Sequence, residues 1–318
     1  MTVAVEPARV PSKMADGRGA VLVLASITSV QFGAAFARRL FDTVGPAGVV
    51  LLRQGIAAIV LMAVVRPRLR GRGRAEWLVV LAFGTVLAGM NLTFYEAVAR
   101  LPLGMAVTIE LLGPIGLAVA LSRRPIELVW CLVALVGMLL LGEGGATVEL
   151  VGVAFALAAA AGWAGYILLL GAAGRHFTGV DGVALAMVVA SLLSSPFGLQ
   201  AGSSLVEPRV LLIGVVVAML SAIVPFSLEV TARRSVPPGV FGVLMSLSPA
   251  AAALSGFLVL GQHLTLQQLF GMATVAVASA ATLLSARGRP AASSAVEDHG
   301  SSVATSPTAT VPGSSTVA

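Results

Sequence analysis

The sequence predicts an all-α integral membrane protein with ten transmembrane helices, arranged as two inverted five-helix repeats. Three observations lead to this fold class. Apolar residues make up 58% of the 318 residues and charged residues only 11%, with a mean hydropathy of +0.98, whereas soluble domains carry about 25% charged residues. The apolar residues form ten stretches of membrane-spanning length, and two parts of the chain repeat each other weakly.

Each of the ten stretches holds the ~20 mostly apolar residues that a helix needs to cross ~30 Å of hydrocarbon. The first has no convincing cleavage site, so we interpret it as an uncleaved helix rather than a signal peptide. Residues 1–19 are predicted to be a cytoplasmic segment and residues 287–318, rich in Ser, Thr, Pro and Ala, a disordered cytoplasmic tail. The predicted spans are 20–40, 46–65, 77–98, 103–121, 127–142, 150–170, 182–200, 210–231, 239–260 and 266–286.

The distribution of Lys and Arg predicts that both termini are cytoplasmic. With the N-terminus inside, fifteen of the 20 basic residues fall in cytoplasmic segments, four at the outer ends of helices, and Arg53 within a span. This asymmetry follows the positive-inside rule and requires an even number of spans. The run Arg66–Arg74 is interpreted as part of this topology signal, with binding of anionic lipid as the alternative.

Several function classes conflict with the sequence. The net charge of +6 is spread too thinly for a nucleic-acid-binding surface, and the one cysteine, Cys131, excludes an intrachain disulfide. Lys13 is the only lysine and no phosphate-binding glycines precede it, so a P-loop is excluded. We therefore expect no enzyme, no metal and no other cofactor. The expected partners are the lipid bilayer, a small solute and protons, and the oligomeric state is left open.

The internal repeat divides the chain into halves, predicted as residues 20–142 and 150–286. Ala99–Pro114 aligns with Arg234–Pro249 at a shift of 135, and Gly137 aligns with Gly271 at a shift of 134. Because five helices per half is an odd number, the second half enters the membrane from the opposite side. Inverted repeats are a recurring plan of secondary transporters, in which the substrate lies near the midplane between the halves.

A series of short motifs runs in a fixed order along residues 20–286. They are Ser29–Phe41, Val44–Gly48, Gly89–Asn91, Phe94-Tyr95, Pro102–Gly104, Glu110–Pro114, Ser122–Pro125, Trp163-Ala164, Pro225–Glu229 and Phe241–Ser246. Together they resemble the bacterial threonine/homoserine exporters with two EamA domains, within the drug/metabolite transporter (DMT) superfamily.

The resemblance implies a multi-pass protein of the cell inner (plasma) membrane that exports small amino acids by proton antiport with alternating access. One alternative is a transporter of the same fold for another metabolite or a drug. A less favoured alternative is a membrane channel or scaffold protein that transports nothing.

Charges inside the predicted spans mark candidate functional residues, because each costs ~2.5–3.5 kcal/mol to insert. Arg53, Asn91 and Glu110 each lie about seven residues from the outer end of a helix, so ~10 Å below the outer surface. They can form one polar layer, in which Arg53 binds a substrate carboxylate and Glu110 binds an ammonium or a proton. The alternative is an Arg53–Glu110 ion pair that only holds helices together.

Three prolines are predicted to kink their helices. Pro114 removes the backbone hydrogen bond to the carbonyl of Glu110 itself, and broken helices supply backbone groups to ligands in transporters. Pro249 does the same for Met245, so the repeat keeps the kink without the charge. Pro225 is the third predicted kink.

Two aromatic residues and one amide are further candidates near the middle of their helices. Gln31 can bond a substrate or a neighbouring helix. Trp163 and Tyr166 can wall a cavity or only pack against neighbours.

The remaining polar candidates are predicted to have structural roles near the ends of helices. Tyr95 is predicted to anchor the outer interface. Glu96 is expected to pair with Arg100, four residues on. Glu229 is expected to reach the cytoplasmic surface or to pair with Arg233.

Overall fold

Long apolar helices account for nearly all of the chain that the computed structural model describes. These residues are 17–121, 125–142, 149–177, 180–232, 236 and 238–286. The helices are α1 (Gly17–Arg38), α2 (Phe41–Val65), α3 (Arg74–Arg100), α4 (Leu103–Glu110), α5 (Leu112–Leu121), α6 (Pro125–Gly142), α7 (Leu150–His176), α8 (Asp181–Gly198), α9 (Pro208–Ala218), α10 (Val224–Ala232), α11 (Pro238–Met245), α12 (Ser248–Leu260) and α13 (Leu266–Ala286). A 3₁₀ segment, Leu199–Val206, follows α8, and a π-helical turn, Met219–Ile223, joins α9 to α10.

The helices match the predicted spans in number and position. Within the described ranges, eight helical segments are long and apolar enough to cross a membrane, and Leu128–Leu141 is a shorter apolar helix. The last predicted span, 266–286, coincides with α13. The predicted terminal segments, 1–19 and 287–318, lie outside the described residues except for residues 17–19, which begin α1.

Three of the predicted spans are interrupted. The fourth consists of α4 and α5, the eighth of α9, the π turn and α10, and the ninth of α11 and α12. The second span also begins earlier than predicted, because α2 starts at Phe41 and bends at Gly45. Gly45 has a φ of 68° directly before Pro46, and a residue before proline is disfavoured in the right-handed helical region.

The packing of the helices has the same pattern in both halves of the chain. In the first half α3 packs on α7 of the second, and in the second half α9 and α10 pack on α1 of the first. Likewise α4 and α5 pack on α7, while α11 and α12 pack on α1. The pairs α2–α8 and α6–α13 join equivalent helices, and α4–α12 joins the fourth and ninth predicted spans. These contacts therefore have counterparts in the other half of the chain.

Charged side chains tie the halves together at both ends of the bundle. At the basic end, which carries the loop Arg66–Gly73, Arg72 lies 2.9 Å from the carboxylate of Asp181 and stacks over the Phe177 ring. At the opposite end, Arg100 lies 3.4 Å from the carboxylate of Glu149. Part of the arginine run at the basic end is thus used in contacts between helices.

Candidate functional site

The helix break between α4 and α5 positions the carboxylate of Glu110. Helix α4 ends at Glu110, and α5 begins at Leu112. The break fits the position of Pro114, which has no N–H to donate to the carbonyl four residues earlier. The predicted kink therefore lies directly beside the charged residue.

Pro249 breaks the equivalent helix of the second half at the equivalent place. Helix α11 ends at Met245, and α12 begins at Ser248. Here the Ser248 hydroxyl donates to the Met245 carbonyl at 2.6 Å, which satisfies the group that Pro249 cannot bond. The repeat therefore conserves the break and replaces the carboxylate with an uncharged side chain.

A cavity of about 200 Å³ lies at these two breaks, between helices of both halves. No basic side chain is among the described residues that line it. The lining consists of apolar side chains, two serines, one amide and two carboxylates: Ser26, Ile27, Val30, Gln31, Val107, Glu110, Trp163, Glu229, Met245 and Ser248.

Glu110 presents a carboxylate to this cavity without a direct partner. The described side chains and backbone include no group in hydrogen-bond or ion-pair contact with it. A half-buried carboxylate in apolar surroundings is costly unless it is paired or protonated. Glu110 therefore has the chemistry of a group that binds a cation or a proton.

Glu229, predicted to reach the cytoplasmic surface or to pair with Arg233, lines the same cavity. Its carboxylate accepts a hydrogen bond from the Ser26 hydroxyl at 3.0 Å, so the side chain contacts α1. The pairing with Arg233 stays a prediction, because Arg233 lies outside the described residues. Depth along a helix does not tell which face a side chain occupies.

The π turn before α10 explains why the sequence did not place Glu229. A π turn adds one residue to a helical turn, so the side chains that follow rotate by about 100° around the axis. It includes Ser221, whose carbonyl Pro225 cannot bond because it lacks an N–H. The kink predicted at Pro225 thus takes the form of a π turn.

Gln31 and Trp163 complete the polar and aromatic part of the wall. Gln31 is buried, and its Oε1 has no hydrogen-bond partner among the residues that the structure describes. Trp163 lines the cavity and packs on its other side against the apolar cluster around Ile115. Tyr166 is not part of the lining. It packs against Phe83, with ring centroids 5.4 Å apart.

Arg53 lies in a separate polar cluster between α2, α3 and the π turn. Its guanidinium donates to Asn91 Oδ1 and, at 3.4 Å, to the Ser221 hydroxyl. It also stacks over the Tyr95 ring, 5.5 Å from the centroid. Its Nε is buried and has no partner in the described ranges. The structure therefore brings Arg53 and Asn91 together as predicted.

The predicted alternative of an Arg53–Glu110 ion pair is not formed. Both side chains are described, and no salt bridge within 4.0 Å joins them. Their charges still interact through space. Within the described part of the chain each charge thus lacks a direct counter-ion, which a purely structural pair would have supplied.

Two other candidates have structural positions. Tyr95 is 3% exposed and packs between Phe41 and Phe94, so the prediction of an interfacial anchor is wrong. Its ring supports Arg53 instead. Glu96 forms the predicted ion pair with Arg100 at the opposite end of the bundle.

Comparison with known proteins is consistent with a transporter of this architecture. Residues 150–284, the second half of the chain, match the EamA-like transporter family. The threonine/homoserine exporter RhtA of Escherichia coli strain K12 is 40% identical over 271 residues, which are 84% of this chain and 92% of that protein. The chain belongs to the EamA-like transporter family. RhtA of Salmonella typhimurium strain LT2 is 38% identical over 274 residues, covering 85% of this chain and 92% of that protein.

The fold of this EamA-family chain also matches a solved structure. A protein of known crystal structure is 22% identical, with a TM-score of 0.56, and the match covers 84% of this chain and 98% of the other. At this identity the likeness concerns the fold alone. The family places the chain in the drug/metabolite transporter superfamily, as a multi-pass protein of the inner membrane.

Proposed function

We propose that this protein exports small neutral amino acids of the threonine and homoserine type by alternating access, in exchange for protons. The observation that carries the proposal is the unpartnered Glu110 carboxylate on the wall of the cavity between the two halves. The identity to the RhtA exporters supports the substrate class.

The size of the cavity favours a small metabolite over a drug. Pockets for drug-sized ligands usually measure ~300–1,000 Å³, whereas this cavity measures about 200 Å³. A transporter of the same fold for bulky compounds would need the cavity to enlarge severalfold. The polar lining also suits an amino acid better than an apolar drug.

The two charges divide the recognition of an amino acid between them. Glu110 accepts the ammonium group, and Arg53 is the partner for the carboxylate, because arginine binds carboxylates in a bidentate geometry. Arg53 does not line the cavity in this conformation, so its contact with the substrate belongs to another state of the transport cycle.

Glu110 is also the proposed proton carrier. Proton and ammonium compete for one carboxylate, which is a simple way to make antiport obligatory. The charged groups that face it are Glu229, across the cavity, and Arg53, through space. Release of the substrate on one side of the membrane then requires a proton to replace it.

The orientation proposed for this cycle has both termini in the cytoplasm. The basic end then faces the cytoplasm, in agreement with the positive-inside rule. The end that carries Arg38, Arg39 and Arg100 faces outward.

Counterflow in proteoliposomes tests the substrate class. Vesicles loaded with unlabelled threonine are expected to accumulate labelled threonine and homoserine transiently, and to show no such uptake of bulky aromatic drugs. Loading with drug in place of threonine is the matched comparison. Counterflow of drugs without counterflow of threonine would contradict the proposal and favour the other substrate class.

A further inference from the structure

Gln31 presents a neutral hydrogen-bond acceptor to the cavity between the two halves. Its side chain lines the cavity and is 6% exposed, and its Oε1 is buried with no hydrogen-bond partner in the part of the chain that the structure describes. Buried polar atoms in native folds are normally paired, so an unpaired one requires an explanation. Because the side chain lies on a cavity wall, a donor on a bound molecule can supply the missing hydrogen bond.

The two serines of the cavity wall donate to acceptors within the fold. The Ser248 hydroxyl donates to the Met245 carbonyl at 2.6 Å, and the Ser26 hydroxyl donates to the Glu229 carboxylate at 3.0 Å. A hydroxyl has one proton, so neither serine can donate to Gln31 while it makes these bonds. The serines therefore leave the Gln31 oxygen to a donor on a ligand.

The chemistry of an amide favours a hydroxyl over an ammonium group as this ligand donor. An amide carries an acceptor oxygen and an NH₂ donor, and a hydroxyl both donates and accepts, so the two groups match in either orientation of the amide. An ammonium group has donors only, and it bonds more strongly to a carboxylate than to a neutral oxygen. Glu110 supplies a carboxylate on the same wall. The ammonium and the side-chain hydroxyl of a bound amino acid therefore have separate acceptors.

We propose that Gln31 recognises the side-chain hydroxyl of the amino acid, and thereby selects hydroxyl-bearing substrates over apolar ones of the same size. The inference rests on the proposed function, since it names the part of the substrate that this side chain contacts. A site that bonds a substrate hydroxyl rejects an analogue without it, because the buried polar group of the site is then left unpaired. Valine is such an analogue of threonine. It has a methyl group in place of the hydroxyl and keeps the ammonium and the carboxylate.

Competition by valine measures this selectivity. In threonine counterflow by the wild type, valine is expected to halve the signal at a concentration at least about tenfold above that of unlabelled threonine. Gln31→Met keeps the length of the side chain and removes its amide, so the two amino acids are expected to compete within about twofold of each other. A wild type without this preference, or a Gln31→Met variant that keeps it, would overturn the inference.

Gln54 provides the matched control, because it is a buried glutamine that is bonded within the fold. Its Oε1 accepts from the Ser194 hydroxyl at 2.8 Å, and its Nε2 donates to the Leu87 carbonyl at 3.4 Å. Gln54→Met leaves these partners unpaired, so it is expected to lower the Tm in detergent by several degrees and to keep the wild-type preference for threonine. Gln31→Met removes an unpaired atom, and its Tm is expected not to fall. A fall as large as that of Gln54→Met would show a structural role of Gln31 and overturn the inference.

The Tm also measures binding in the absence of transport. A ligand that binds the folded protein raises the Tm, so threonine is expected to stabilise the wild type at a concentration at least about tenfold below that of valine, and Gln31→Met is expected to lose this difference. Such a difference in a protein that shows no threonine counterflow would refute the proposed function and leave this inference standing. Threonine counterflow without a preference over valine would do the reverse. No response to threonine in either assay would refute both.

Discussion

Arg53 is the clearest case of a half-buried charge held by neutral groups. Asn91, Ser221 and the Tyr95 ring surround its guanidinium, while its Nε is left without a partner. Neutral partners compensate a buried charge less well than a carboxylate does. The remaining cost is lowered when an anion approaches, which is why we assign the substrate carboxylate to Arg53.

Replacing Arg53 is expected to weaken substrate binding rather than folding alone. Arg53→Gln removes a charge-assisted contact of about 1.5–3 kcal/mol, so the KM of threonine counterflow is expected to rise at least about tenfold. Arg53→Lys keeps the charge without the bidentate geometry, and an intermediate KM is expected. Arg100→Gln, which removes the contacts of Arg100 with Glu96, Glu149 and the Phe155 ring near the end of the bundle, is the control. A normal KM in both Arg53 variants would show that the charge has no role in substrate binding.

A double variant separates the two interpretations of Arg53 and Glu110. If the residues formed a structural pair, Arg53→Gln with Glu110→Gln would restore the membrane abundance lost in either single variant. Because no ion pair joins them, we expect the double variant to transport no better than the worse single variant. Abundance and counterflow of the three proteins, measured side by side, check this. Recovery in the double variant would contradict the geometry described here.

At the scale of the elements, the broken helices determine where polar groups can lie in the membrane. Each break lies near a proline that removes one backbone hydrogen bond, and two of the breaks border the cavity. Close packing next to a break requires small residues. Gly113, just after the break at Glu110, contacts the backbone of α7, where an added Cβ would lie 2.0 Å from the carbonyl oxygen of Ala160.

Two glycines of α5 give a matched pair of variants. Gly113→Ala forces α5 away from α7, and overpacking of this kind costs about 1–3 kcal/mol. We expect a Tm in detergent lower by roughly 5 °C and a loss of threonine counterflow. At Gly116 an added Cβ meets no described atom within 4 Å, so Gly116→Ala is expected to behave like the wild type. Equal stability of the two variants would show that α5 and α7 do not pack this closely.

The elements also show how much of the molecule could be predicted from the sequence. The ten spans were predictable because bilayer thickness fixes the length of an apolar helix. The break beside Glu110 was predictable because Pro114 has no N–H, so the carbonyl four residues earlier, that of Glu110, loses its hydrogen bond. The face of α10 on which Glu229 lies was not predictable, because the π turn rotates this helix by an amount that the hydropathy of the sequence does not reveal. The burial of Tyr95 was not predictable for a similar reason. Its position along α3 gives its depth in the membrane but not which helices pack against it.

At the scale of the whole molecule, several contacts between the two halves recur as equivalent pairs. In the proposed transport cycle, this pairing lets the two halves exchange conformations with little change in the kinds of contact between them. Ion pairs tie the halves together at both ends. Opening at one end is therefore expected to require loss of the tie at that end.

The orientation of the molecule can be measured with reporter fusions. A reporter that is active only in the periplasm and one that fluoresces only in the cytoplasm are fused after residue 286. Because an even number of spans precedes this point and the basic end faces inward, only the cytoplasmic reporter is expected to give a signal. Fusions after residue 100, at the opposite end, serve as the control with the reverse pattern. A periplasmic signal after residue 286 would refute the proposed orientation.

The most direct test of the central claim is threonine efflux from proteoliposomes with and without an imposed pH gradient, in the wild type and in Glu110→Gln. Acid outside is expected to accelerate efflux by the wild type, because external protons replace the substrate on Glu110. Glu110→Gln is expected to give the same efflux with and without the gradient, at normal protein abundance and with residual threonine exchange. A response to the gradient as large as that of the wild type in Glu110→Gln would contradict the claim that export is coupled to protons through this carboxylate.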